Sequence, residues 1–450
     1  MKLWQKDNAP VTSEKIERFT VGRDRELDIH LAPFDVLGSM AHAIMLQSIG
    51  LLTADETNAL LAECQLIYQS ITEKKDFEIL PGIEDVHSQV EWQLTQKLGE
   101  TGKKIHSGRS RNDQVLVDLK MFNRHKIQEV VEQVQLLFTL LQAKSEQHKA
   151  DLLPGYTHLQ IAMPSSFGLW FGAYAESLVD DLLILQGAYK VVNKNPLGSG
   201  AGYGSSFPLN RTFTTQLLGF DTLNYNVVYA QMTRGKTEYL VTTALTSLAN
   251  TLSRLAMDVC LYNSQNFGFL LLPPEMTTGS SIMPHKKNPD VAELVRAKTN
   301  KLKALPMEIA FIMSNLPSGY HRDMQLVKEI LMPAFDEILE CLEITTFMIT
   351  HIQVKQDVLA SSSYDLLFSV ENVNALVGQG VPFRDAYKAV GNAIETGEFV
   401  PNRDLAHTLE GSIGNLETEA IAKQMQEVIA GFQFEKVQQA YENLLNYPRI

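Results

Sequence analysis

The chain has 450 residues, 45% of them hydrophobic and 8% aromatic, which is ample for a large core and for about two to four domains. Lys plus Arg total 39 against 52 Asp plus Glu, a formal net charge of −13. Such a surface repels phosphate backbones and anionic lipid, so neither nucleic acid nor membrane is expected as a partner, and an anionic substrate must be drawn in by local Lys and Arg.

The three cysteines, Cys64, Cys260 and Cys341, lie far apart in apolar helical patterns and read as buried reduced thiols. No CxxC or HExxH occurs, so no metal site is expected. Met1 to Pro10 lacks the apolar core of a signal peptide, and no apolar run reaches the roughly 18 residues of a membrane span.

Residues 1 to about 105 read as short helices joined by polar turns. Leu31 to Leu52 carries apolar residues at helical spacing, and Thr53-Ala54-Asp55-Glu56 starts another helix with a cap and early acidic residues. Pro81 to His87 is a turn before a helix running to about Leu98. His87 there reads equally as a capping or buried histidine and as a functional one. From about 112 the runs lengthen: Ile127, Val130, Val131, Val134, Leu137, Phe138 and Leu141 recur at steps of three and four, making one apolar face. A second run follows Pro164. The longest is expected between Gly235 and Gly268, a fourth from Val291, and a fifth after Met332-Pro333 toward Gln353. Beyond 355 the helices shorten again, broken at Gly378-Gln379-Gly380, Pro382 and Pro401. The expected fold is all-α: a three-domain subunit (1–105, 106–354, 355–450) around a central bundle of long helices, which have faces to bury against other subunits.

Four polar stretches stand at the ends of these helices. Gly279-Ser280-Ser281-Ile282-Met283-Pro284-His285-Lys286-Lys287-Asn288-Pro289-Asp290 puts ammonium groups and an amide beside a helix start, a donor-rich place for an anion, although an ordinary interhelical loop is the blander reading. Ser107 to Gln114, with Arg109, Ser110, Arg111 and Asn112, forms a carboxylate or phosphate receptor at the start of the first long helix. Pro154 to Gln160 contributes Thr157 and His158 in a turn, weak on their own. Ser318 to Gln325 and Lys328 place Tyr320, Gln325 and Lys328 near one helix start, where a plain surface is equally consistent. The glycines of Gly198 to Gly204 are not a dinucleotide loop: the spacing is not GxGxxG, and Val191 to Pro196 reads as a helix end and turn rather than a strand.

The stretch from Gly279 to Asp290 resembles the signature loop of the fumarase/aspartase superfamily. With Ser110 to Gln114 and Pro154 to Gln160 it is similar to the argininosuccinate lyase family, and the likeness runs through essentially the whole chain. The resemblance implies a cytoplasmic homotetramer of mostly helical, three-domain subunits whose active sites take loops from three subunits. It implies a cofactor-free anti elimination that splits argininosuccinate into arginine and fumarate, in arginine biosynthesis. By position, Ser280 is the implied base, and Lys286 with Asn288 holds the carboxylate on which charge builds. His158 faces the leaving group, with Glu293 as its carboxylate partner. Ser110, Arg111, Asn112 and Thr157 are implied substrate contacts, the last two on the fumarate side. Tyr320, Gln325 and Lys328 reach the arginine portion.

Three features depart from that pattern. His285 stands where the family usually has Gln, Asp24 where it offers a serine, and Met232 to Lys236 replaces a usual Ser-Asp-Arg-Asp run. A lyase of the same superfamily acting on adenylosuccinate, aspartate or malate is the nearest alternative, against which Tyr320, Gln325 and Lys328 weigh. A non-catalytic protein on the same scaffold, like the lens crystallins, is the other, and the filled catalytic positions weigh against it.

Overall fold

The computed structural model describes residues 14–449, so the reading of Met1 to Pro10 lies outside the described residues. Six helices come first: α1 (Glu14–Val21), α2 (Asp24–Asp28), α3 (Ala32–Ser48), α4 (Ala54–Gln69), α5 (Val86–Leu98) and α6 (Glu100–Lys104). The long elements follow as α7 (Arg111–Gln147), a hairpin of β1 (Leu152–Thr157) and β2 (Gln160–Ser166), and α8 (Phe167–Val192). Then come β3 (Lys194–Asn195), α9 (Arg211–Leu217), β4 (Thr222–Leu223), α10 (Val227–Met232), α11 (Lys236–Asn263) and β5 (Leu270–Leu271). After α12 (Asp290–Leu302), α13 (Leu305–Met313), α14 (Val327–His351) and β6 (Gln353–Val354), the chain ends in α15 (Ser369–Gly378), α16 (Phe383–Thr396), α17 (Thr418–Ala430) and α18 (Phe434–Leu445). Among the described residues the strands make three two-stranded pairings, so the architecture is the expected helical one.

Helices α7, α8, α11 and α14 pack along one another, and α3 lies against α7. One continuous apolar core runs from Leu27 on α2 to Leu444 on α18, including Phe122, Val134, Leu178, Leu248 and Phe335. Val373, Ala386 and Val390 form a separate small core between α15 and α16. Local chemistry explains most helix starts. Thr53 and Glu56 exchange hydrogen bonds in a capping box at α4, and Asp85 accepts from the Ser88 amide to start α5. The segment from Asp24 to Ser48 is apolar and long enough to cross a membrane, but 83% of its most apolar window is buried inside the protein.

Four expectations need correction. The longest helix is α7, at 37 residues against 28 in α11. It has the Ser110 cap at its start and neither Pro nor Gly inside, whereas α11 stops at Asn263 in the turn closed by Gly268 N–H on the Ser264 carbonyl. The fourth run is split into α12 and α13, because Pro306 has no amide to bond the Leu302 carbonyl and instead sits in the first turn of a new helix. The fifth begins at Val327 and carries Pro333 inside it, at the loss of one amide donor. Lys194–Asn195 is a short strand parallel to Thr222–Leu223, not a turn.

The glycine loop proves to be an anchor for α7. Buried Asp113, in the first turn of that helix, accepts from the Ser110 amide (2.9 Å) and from the Gly198 and Gly200 amides (2.9 and 2.8 Å). Both glycines have positive φ, and a Cβ on Gly198 would meet Arg211 Cγ at 2.8 Å. Asp113→Ala leaves these amides unpaired, so it is expected to lower stability by about 1–3 kcal/mol or more. Denaturant unfolding measures this, and an unchanged midpoint would contradict the anchoring role.

Candidate active site

A cavity of about 150 Å³ opens where the starts of α2, α5, α7 and α14 converge, nearer the size of an amino acid than of a drug-sized ligand. Arg111, Asn112, Tyr320, Gln325 and Lys328, all expected to touch substrate, line it together. Ser110 stands beside it as the α7 cap, its Oγ accepting from the Asn112 amide at 3.2 Å. The remaining polar walls are Asp24, Asp28, Glu84, Asp85, His87, Arg234 and Arg322.

Carboxylates and cations alternate around this cavity. Arg111 is paired with Asp85 (2.7 Å) and Glu84 (3.4 Å), and Glu84 also holds Arg322 at 2.8 Å. Arg322 and Gln325 donate to the carbonyls of Thr20 and Val21, which ties the end of α1 to the segment ahead of α14. Lys328, almost wholly buried, bonds Asp28 at 2.5 Å and Asp24 at 2.6 Å. Burial alone would discharge this lysine, but the fields of Asp28 and then Asp24 reverse that and hold its pKa above the usual range. Burial pushes the Asp24 carboxyl up to about 6 despite the lysine beside it. Among the described residues no hydrogen bond engages the side-chain carboxamide of Asn112, which lines the cavity.

His87 is buried, as one of its two readings had it. Its Nδ1 lies 2.6 Å from Asp35 and 3.4 Å from Asp118, both fully buried. Burial works against its charge, but the carboxylates of Asp35, Asp85 and Asp28 together outweigh that and raise its pKa. Burial, and then the charge of Asp35, push the Asp118 carboxyl well above the usual range. Asp35 and Asp118 escaped the sequence reading because each sits within an apolar helical run. Glu84 and Asp85 belong to the acidic turn flagged ahead of α5, and Arg322 to the flagged segment before Lys328. Their pairing becomes visible only in three dimensions.

The other expected site residues do not line this cavity. Thr157, His158 and Gln160 are exposed at the tip of the β1–β2 hairpin, where His158 and Leu159 both have positive φ (53° and 58°), as a tight two-residue hairpin turn requires. That turn at 152–166 is therefore a true hairpin. The loop carrying Ser280, Lys286 and Asn288 projects into solvent. Its base is pinched by an antiparallel bridge in which Thr278 and Asn288 exchange amide hydrogen bonds of 3.2 and 2.9 Å. At its tip the Ser280 Oγ accepts from the amides of Met283 (3.1 Å) and Ile282 (3.4 Å). Glu293 lies exposed in the first turn of α12, and none of the hydrogen bonds or ion pairs among the described residues joins it to His158. The chain thus carries a built cavity and two exposed polar projections.

A family model described as lyase matches residues 9–302. The chain is 62% identical to the argininosuccinate lyase of Bacteroides fragilis and 61% identical to that of Parabacteroides distasonis, in both cases over 99% of this chain and 99% of the relative. A solved structure of EDDS lyase with formate superposes with a TM-score of 0.75 at 21% identity, covering 97% of this chain and 95% of that one, which bears on the fold. Fold and family model together define the class, a helical lyase of the fumarase/aspartase superfamily. Within that superfamily, the chain belongs to the argininosuccinate lyase family.

The raised pKa of His87 gives a pH dependence of known sign. Its folded pKa exceeds the unfolded value, so the stabilisation it contributes is complete below the ordinary histidine pKa and is lost as pH rises through the folded one. Denaturant unfolding from mildly acidic to alkaline pH is expected to show the wild type losing more stability than His87→Gln. Parallel profiles would contradict a charged His87.

Proposed function

We propose that this protein cleaves argininosuccinate into arginine and fumarate by anti elimination without a cofactor, serving arginine biosynthesis in the cytoplasm. The observation that carries the reading is the cavity at the start of α7, where Arg111, Asn112, Tyr320, Gln325 and Lys328 meet among alternating charges. A polar, double-ended walling of that kind suits a ligand bearing both carboxylates and cations. The family membership supports the same substrate.

In this reading Ser280 is the base that removes the proton beside the reacting carboxylate. A serine oxygen needs its alkoxide stabilised, and the Met283 and Ile282 amides that donate to its Oγ supply part of that. Lys286 and Asn288 hold the carboxylate on which negative charge builds. His158, oriented by Glu293, attends the departing guanidine. Thr157 and Asn112, with Ser110 and Arg111, bind the fumarate side, and Tyr320, Gln325 and Lys328 the arginine side.

The reading also takes the working unit to be a homotetramer, with each active site assembled from neighbouring subunits. Exposed apolar side chains on the outer faces of the long elements favour this: Leu136 on α7, Leu183 and Ile184 on α8, Met257 on α11, Phe311 on α13 and Phe347 on α14. So does an apolar groove of about 540 Å³ between α12 and α14, lined by Leu294, Cys341, Ile344 and Phe347. The exposed hairpin tip and Ser280 loop then meet the cavity of another subunit. Residues 1–105, 106–354 and 355–450 are taken as the three domains of each subunit.

Purified protein given argininosuccinate is expected to release fumarate, followed by its ultraviolet absorbance, and no rise would overturn the function. Ser280→Ala is expected to abolish the signal. Asn288→Ala should slow turnover by about a hundredfold to a thousandfold, the usual cost of one such donor. Ser280→Ala and His158→Asn subunits, each inactive alone, should regain activity when unfolded and refolded together, because some mixed sites then hold both native residues. Absence of recovery would contradict the shared site.

A further inference from the structure

The turn that carries Ser110, Arg111 and Asn112 into the cavity is held from behind by a helix that does not line it. On α3, Ser39 and His42 stand three positions apart and so share one face. Arg109 Nη1 donates to Ser39 Oγ at 2.9 Å, and His42 Nε2 lies 2.9 Å from the Ser107 carbonyl. A carbonyl only accepts, so His42 carries its proton on Nε2 and donates there. Burial, and then the Arg109 guanidinium, hold the His42 pKa well below the usual range, which favours the uncharged ring. Both anchors are buried, Ser39 at 1% and His42 at 0% exposure. The amides of the loop only fold it back on the end of α6: Ser107 N–H bonds the Lys104 carbonyl and Arg109 N–H the His106 carbonyl. On its far side Gly108 sits at φ 74°, and a Cβ there would meet Leu209 Cδ2 at 3.0 Å.

We propose that Ser39 and His42 are positioning residues for the anion receptor at the start of α7. They hold Ser107 and Arg109 in place, so that Ser110, Arg111 and Asn112 enter the cavity at one fixed height. Asp113 and the pairs of Arg111 with Asp85 and Glu84 fix the helix start, and the two α3 contacts fix the approach to it. Neither residue touches the ligand, since no residue of α3 lines the cavity. Donors that read a carboxylate must be held to about half an ångström, and a loop of this length does not hold itself that well. The effect is local to the part of the ligand that these donors meet. The inference rests on the proposed function for the identity of that part, the fumarate side.

The test measures binding of fumarate and, separately, of arginine by titration calorimetry on the full-length protein. His42→Leu keeps bulk but removes the donor, and Ser39→Ala removes a single oxygen. Each is expected to weaken fumarate by about threefold to tenfold, the range of one hydrogen bond, and to leave arginine unchanged. In turnover both should raise KM more than they lower kcat. His42→Gln, which keeps an N–H donor at a similar reach, should bring fumarate binding back toward the wild type. If fumarate binding is unchanged, if both ligands weaken equally, or if His42→Gln is no better than His42→Leu, the assignment is overturned. Thermal melts of the same samples show which proteins are folded, and Ser39→Ala decides the question if His42→Leu is not. A wild type that forms fumarate while the folded variants match it overturns the positioning role and leaves the function. A fumarate-selective loss in the variants of a protein that does not cleave argininosuccinate overturns the function and leaves the positioning role.

Discussion

Charge taken out of water at the start of α7 is the constraint on which the rest of this structure depends. Asp28, Asp35, His87, Asp118 and Lys328 are all buried, and each would be unstable there without the others. Their demands are met only if α2, α3, α5, α7 and α14 arrive at one place in one register. A slip of one residue in any of these helices rotates a carboxylate or an ammonium away from its partner and strands it in the core. Buried ion pairs are weak contributors to net stability but strong ones to uniqueness, and that is their effect here. The apolar core sets how much surface is buried, and the charged cluster decides which helix ends meet.

The same cluster explains why the cavity lies where it does. Apolar packing of α7 against α8, α11 and α14 leaves no reason for water inside the bundle, but the helix ends carry Arg111, Glu84, Arg322 and Asp24, whose outer faces still need partners. A ligand with charges at both ends is a natural completion of such a surface. Asp113 contributes from the other side, gathering Gly198 and Gly200 so that the first turn of α7, with Arg111 and Asn112, is held at a fixed height. The long elements act as rigid mounts, and the chemistry sits on the loops and helix ends that they position.

The hairpin tip and the Ser280 loop show the opposite economy. Both end in exposed polar residues; the hairpin is rooted in the core through Leu153 and Tyr156, while the Ser280 loop is held at its base by the Thr278–Asn288 bridge. The hairpin tip also presents Leu159, 74% exposed, beside His158. These two projections stand apart from the cavity, whose lining all comes from α2, the turn before α5, the start of α7 and the segments around Arg234 and Lys328.

Local signals were enough to place most of the helices, because caps such as Thr53, Asp85 and Ser110 act over three or four residues. The hairpin at 152–166 was harder to read, since Pro154 and Pro164 mask its alternation, and the break at Pro306 hid inside an apolar run. Asp35 and Asp118 left no trace, being single acids in helical faces whose partners lie on other helices. By itself the sequence determined the helical class, the family and the residue types available for chemistry, since these follow from short-range pattern and from motif. Only the tertiary structure decided that Asp24 shares Lys328 with Asp28, that a glycine loop grips Asp113, and that five predicted contacts enclose one cavity while Ser280 and His158 stand outside it. The reason is physical: desolvation and charge pairing are set by what surrounds a group in space, and that depends on helix ends brought together from hundreds of positions apart.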